Sequence, residues 1–205
     1  MTSTEAAPRV DGRTARAERT RAAVVDALLA LVREGDLRPT GERIAERAGV
    51  SLRALWTNFR DMETLFEASG ARLLAQYDAL FEPVPPALPL AERVDAFCRQ
   101  RVRLLQFIAP AARAAQMREP VSPQLRRNRA KHLERVRAEV EALFAAELAR
   151  CGDPAELRDA IVAASTWPTW SMLLDGLGMG VDEARRVMAR TVAALLAAPQ
   201  GRAPS

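Results

Sequence analysis

The chain has little of what most enzymes and most sheets are built from. Its 205 residues include one histidine, two cysteines and one tyrosine, and aromatics make up only 5%. A single imidazole gives a metal or general-base site little to build on, and Cys98 and Cys151 lack the spacing of metal ligands. With no Ser, His and Asp set and no glycine-rich phosphate loop, an enzyme is poorly supported; no catalytic residue, metal or cofactor is expected. Runs of Val, Ile, Tyr and Thr are nearly absent while alanine, leucine and arginine dominate, which predicts an all-α fold. No apolar run approaches bilayer length, and the N-terminal MTSTEAAPRV has no signal-peptide apolar core. The expectation is a soluble, cytoplasmic protein with reduced cysteines and no membrane partner.

What is present is a 49% apolar composition, enough for a core in one large domain or in a small domain fused to a medium one. There is no internal repeat. A net charge of +4 and a pI near 10.0 permit nucleic-acid binding without establishing it. The positive charge is nearly all arginine, Lys131 being the sole lysine. Between Arg9 and Arg21 arginines outnumber Asp11 and Glu18, giving a basic arm that could approach phosphates. A denser cluster runs from Arg126 to Arg137; on a helix it is expected to be a solvated face.

The most informative stretch is TGERIAERAGVSLRALWTNF, Thr40 to Phe59. Ile44, Ala45 and Ala48 share one helical face, Gly49 can end that helix with a positive φ, and Val50 fills the corner. Ser51 is a good cap for a second helix that buries Leu55 and Phe59 at i, i+4. At 100° per residue Arg53 and Thr57 then point outward, flanked by Trp56 and Arg60. This is the outline of a helix-turn-helix. An arginine near the start of a helix in the major groove can donate two hydrogen bonds to guanine, and a free helix start behind Thr40 suits a phosphate. The expected DNA-facing set is Thr40, Arg43, Ser51, Leu52, Arg53, Ala54, Trp56, Thr57, Asn58 and Arg60.

Over residues 13 to 66 the chain resembles the TetR-type transcriptional regulators. The resemblance is carried by Thr40, Ile44, Ala45, Ala48 to Ser51, Trp56 and Phe59. Three positions depart from that family's pattern. Trp56 replaces the usual tyrosine, Arg53 stands where a small residue is common, and Met62 stands where a lysine usually touches phosphate. The resemblance implies about nine helices, a DNA-binding head, and a body that dimerises and senses a small molecule.

Composition divides the chain into a tail (1–12), a head (13–60, motif 40–59), a connecting helix (61–81), a body (82–200) and a short tail (201–205). The proline-rich EPVPPALP at 82–89 cannot be helical. Body helices are predicted at 90–108, 110–118, 123–150, 154–174 and 182–198, with Pro110 as a break and Pro168 as a kink within a helix.

A body that size needs a purpose. One recognition helix reads few base pairs, so a homodimer reading a palindromic operator in double-stranded DNA is expected. Ile161, Ala164 and Met172 with Val187, Thr191, Ala194 and Leu195 could form its seam, although the same stripes suit an internal core. Phe107, Gln116, Met117, Phe144, Trp167 and Trp170 could line a pocket for an unidentified small apolar effector, and most suit plain core equally. His132, in a basic segment, reads as a surface residue. The functional expectation is a ligand-responsive regulator, with a non-specific architectural DNA protein and a ligand-binding dimer with a degenerate head as alternatives.

Overall fold

A computed structural model describes residues 12–197. Arg9 of the basic arm, the N-terminal tail up to residue 11 and the C-terminal tail lie outside that range. Among the described residues there is no strand. The helices are α1 (Gly12–Arg33), α2 (Gly41–Ala48), α3 (Leu52–Asn58), α4 (Met62–Leu80), α5 (Leu90–Arg118), α6 (Pro123–Leu143), α7 (Ala145–Leu148), α8 (Pro154–Ala164), α9 (Trp167–Ser171) and α10 (Val181–Ala197). Counting the four-residue α7 as a continuation of α6 gives nine α-helices among the described residues, in line with the about nine that the family resemblance implies.

Two apolar cores result. In the head, Val24, Leu28, Leu31 and Val32 of α1 bury against Ile44 and Ala45 of α2, Leu55 of α3, Phe59 and Leu65 of α4. The turns that fold α1 to α4 onto one another follow directly from their residues. Gly35 and Gly49 take positive φ, and in each case the two amides after the helix bond back to its last carbonyls: Gly49 to Glu46 at 3.1 Å and Val50 to Ala45 at 3.0 Å. α4 starts with a reciprocal cap, Thr64 N–H donating to Asp61 at 2.8 Å and Asp61 N–H to the Thr64 hydroxyl at 3.2 Å. The body core is built on Phe97, Leu104, Val136, Val140, Ile161, Trp170, Met188 and Val192 from α5, α6 and α8 to α10.

Three helix boundaries differ from those predicted. α5 runs unbroken through Pro110. The ring costs one backbone hydrogen bond, yet Leu104, Leu105 and Ile108 before it and Ala112 after it pack into one core, and that packing holds the axis. The helix expected to reach residue 150 stops at Leu143. Phe144 leaves helical geometry (φ −112°, ψ 24°) to bury its ring edge-on to Phe97, centroids 5.6 Å apart. Pro168, expected inside a helix, sits in the first turn of α9, where no amide bond is lost; the break falls at Ser165 and Thr166 instead. After α9 the helix widens into one π turn, Met172–Gly176, closed by Leu177 N–H to the Met172 carbonyl at 2.9 Å.

Candidate nucleic-acid interface and ligand cavity

The exposed surface of α2 and α3 is set by two short caps. Thr40, in extended conformation, accepts from Arg43 N–H at 3.4 Å, and Ser51 accepts from Ala54 N–H at 3.1 Å. Ile44, Ala45, Leu55 and Phe59 face the core, which turns Arg43, Arg53, Trp56, Thr57 and Arg60 outward. Arg53 is exposed and has no ion pair among the described residues. Arg43 is held 3.0 Å from Asp36, and Arg60 3.0 Å from Asp61. Both remain on the surface.

Trp56 is 37% exposed and lies across the start of α2. A Cβ on Gly41 would stand 2.6 Å from its Cζ2, so Gly41 is the residue that lets the indole settle there. Sequence reasoning passed over Gly41; the glycine directly behind a capping threonine is its signal. Other expected DNA-facing residues are partly spoken for. The Thr57 hydroxyl donates to the Arg53 carbonyl at 2.7 Å, and the half-buried Asn58 amide donates to the Ala54 carbonyl at 2.8 Å. Leu52 is half-buried against the head core, as is Met62, and Ala54 is half-buried as well. From the basic arm, Arg21 is exposed but engaged: its guanidinium stacks 4.3 Å over the Phe59 ring and donates to the Asn58 carbonyl, fastening α1 to the end of α3.

Beneath the head lies a cavity of about 700 Å³. Leu28, Leu29 and Val32 of α1 form one wall. Phe66, Leu73 and Leu74 of α4, Ile108 and Ala112 of α5, Leu133 of α6 and Val162 before the α8–α9 break form the others. Of the six ligand-facing residues expected, Gln116 and Trp167 line this space. Phe144 and Trp170 are fully buried core residues, Met117 is exposed, and Phe107 packs on the body core; none of these four borders the cavity. The miss has one cause: aromatic stripes fill interiors, and a pocket forms where small and medium side chains leave room.

His132, expected at the surface, is half-buried in the cavity wall with its ring edge-on to Tyr77, centroids 5.0 Å apart. Burial, helped by the positive charges of Arg101 and Arg135, pulls its pKa down to about 4, so the ring is neutral at physiological pH. Behind Tyr77 stands a polar cluster that sequence reasoning did not single out. Arg101 has no exposed surface. Its Nε donates to the Ser165 carbonyl at 3.0 Å, the acceptor left free where α8 ends. Its Nη1 donates to the Tyr77 hydroxyl and lies 3.7 Å from Glu139. Gln100 donates to the other Glu139 oxygen at 2.9 Å. Burial raises the pKa of both Glu139 and Tyr77 despite Arg101 beside them. One guanidinium thus joins α4, α6 and the α8–α9 break.

Of the expected seam residues, Ile161 is fully buried in the body core, and Ala164, Val187 and Leu195 are half-buried against it. Met172 (53%), Thr191 and Ala194 are exposed, as is Leu177 at 60%. An ordinary core explains the first four. The exposed ones remain available for a partner.

The fold matches solved structures. A protein assigned to the TetR family of transcriptional regulators, from Mesorhizobium loti, superposes with TM-score 0.66 at 21% identity, over 89% of this chain and 97% of that one. A transcriptional regulator from Rhodococcus sp. Rha1 gives 0.60 at 19%, over 88% and 95%. The multidrug binding protein EbrR, complexed with imidazole, gives 0.54 at 20%, over 86% and 94%. The sequence matches no protein-family model and no curated protein. The chain has the all-α fold of TetR-family transcriptional regulators across nearly its whole length. Among the described residues no helix is long and apolar enough to cross a membrane.

Proposed function

We propose that this protein is a ligand-responsive transcriptional regulator of the TetR type, a cytoplasmic homodimer that represses by binding a palindromic operator. Arg53 reads a guanine in each half-site; Thr40, Trp56 and the start of α2 hold phosphates. An apolar small molecule entering the cavity lowers DNA affinity by preferring a head-to-body arrangement that misaligns the two heads. No catalytic role is assigned to any residue. The observation that carries this reading is the cavity's shared wall: α1 and α4 belong to the head and also enclose the ligand space, so filling that space acts on the helices that position α2 and α3.

Selection of bound fragments from a random double-stranded DNA pool at near-physiological salt tests it. The expected result is a palindrome with guanine in each half-site. A folded protein that enriches nothing would remove the specific-regulator reading. Met62, half-buried where a lysine commonly meets phosphate, would then favour a head that has lost DNA function. Steep salt dependence without enrichment would instead indicate architectural binding.

A further inference from the structure

From the charges around the cavity we infer that its occupant is a small, mostly apolar carboxylate, and that cations are excluded. This deepens the proposed ligand reading and rests on it. Every carboxylate that borders the cavity is already paired with an arginine: Asp78 with Arg135 at 2.7 Å, Glu119 with Arg129 at 3.1 Å, and Asp159 with Arg137 at 3.2 Å. A cationic ligand therefore finds no free counter-charge.

The aromatic rings offer it no substitute. Arg118 sits over Phe66 with its guanidinium carbon 5.8 Å from the centroid, and Arg113 sits 5.3 Å over Trp167. The third ring, Tyr77, has His132 against it. The places where a cation could settle on a π face already hold arginine or imidazole.

The surplus charge has the opposite sign. Arg118 and Lys131 both border the cavity, and neither has an ion pair among the described residues. Behind the wall, Arg101 is wholly buried and its nearest carboxylate, Glu139, stands 3.7 Å away rather than in hydrogen-bond contact. His132 in the same wall is held in its neutral form, through burial first and through the charges of Arg101 and Arg135 next. A carboxylate reaching Arg118 or Lys131 would gain charge-assisted hydrogen bonds while its apolar portion lay against the aliphatic lining of Leu73, Leu74 and Ile108.

Three molecules of one shape separate charge from size: 4-phenylbutyrate, 4-phenylbutanamide and 4-phenylbutylammonium. The protein is labelled with 15N, and the indole N–H signals of its three tryptophans, assigned by Trp to Phe substitution, are followed during titration in the absence of DNA. The expected result is movement of the Trp167 signal, with the carboxylate binding roughly tenfold tighter than the amide and the ammonium weakest. In the Arg118→Gln, Lys131→Gln double variant the carboxylate should fall to the affinity of the amide, which itself is unchanged. Arg126→Gln, which alters a cation outside the cavity, should change nothing. An ammonium that binds as well as the carboxylate, a double variant that keeps the preference, or no Trp167 movement with any of the three would overturn the inference. Because no DNA is present, these outcomes are independent of operator selection. A carboxylate that binds in the cavity and leaves operator affinity unchanged would support the ligand class and remove only the release mechanism.

Discussion

Arg101 shows how a single side chain can hold three helices and still be invisible to a charge count. It lies on the same stripe of α5 as Val94, Phe97, Leu104, Leu105 and Ile108, one helical turn from Phe97. A charged residue on an apolar stripe is readable in the sequence, but its partners Tyr77, Glu139 and Ser165 are not, since they come from three other segments. Replacing Arg101 with leucine should destabilise the fold by about 3 kcal/mol, because a phenol and a helix-end carbonyl lose their donor and the buried Glu139 loses its nearest cation. Adding Glu139→Leu should recover part of that loss. Urea denaturation of the two variants measures both. His132 was misread for a related reason: its neighbours in sequence are basic and exposed, while Val136, Glu139, Val140 and Leu143 at helical spacing are buried. Its folded pKa is depressed, so the neutral ring is compatible with the fold and stability is fully present above the ordinary histidine range. It declines as pH falls from about 6.5 toward about 4, where the folded ring finally protonates. NMR titration of the imidazole carbon-bound protons should show a midpoint near pH 4 and little change at neutral pH; a midpoint near 6.5 would contradict a shielded ring.

At the scale of elements, the junction that matters most is α4 against α6. The Asn128 amide donates to the Phe66 carbonyl at 2.9 Å, and Glu63 accepts the Gln124 amide at the start of α6, also at 2.9 Å. The two helices approach so closely that a Cβ on Gly70 would lie 2.3 Å from the Asn128 Nδ2. Gly70→Ala should therefore force Asn128 off the Phe66 carbonyl and destabilise the protein by about 1–3 kcal/mol, although alanine is the better helix former. Pairing it with Asn128→Ala should give a smaller loss than the sum of the single changes, a coupling that a double-mutant cycle detects. The existence of the helices was legible from periodicity and from helix-end residues such as Ser51 and Gly49. Their boundaries in the body were not. The chain carries two prolines of the same local appearance: Pro110 is absorbed by a packed helix, and Pro168 begins one. What separates them is the tertiary environment, which no local pattern encodes.

For the whole molecule, head and body were legible to different degrees because they answer to different constraints. The head must present a fixed surface, so its caps, its turn glycine and its outward Arg53 all stand in one stretch of sequence. The cavity is an absence shared among distant segments, and only Gln116 and Trp167 of the residues expected there border it. If the exposed face of α9, the π turn and α10 pairs two copies across a two-fold axis, Ala194→Glu should halve the molar mass seen by sedimentation. The same variant should weaken binding to a full operator far more than to a half-site. An unchanged mass would place the seam elsewhere. The wall that α1 gives to the cavity also bears on how this protein can be taken apart. Cutting the chain at the prolines after α4 would strip away α5 and α6 and open to water the side of Leu28, Leu29 and Val32 that borders the cavity. The head is thus not a removable part, and a fragment holding α1 to α4 alone would need a new apolar cover in place of the missing body.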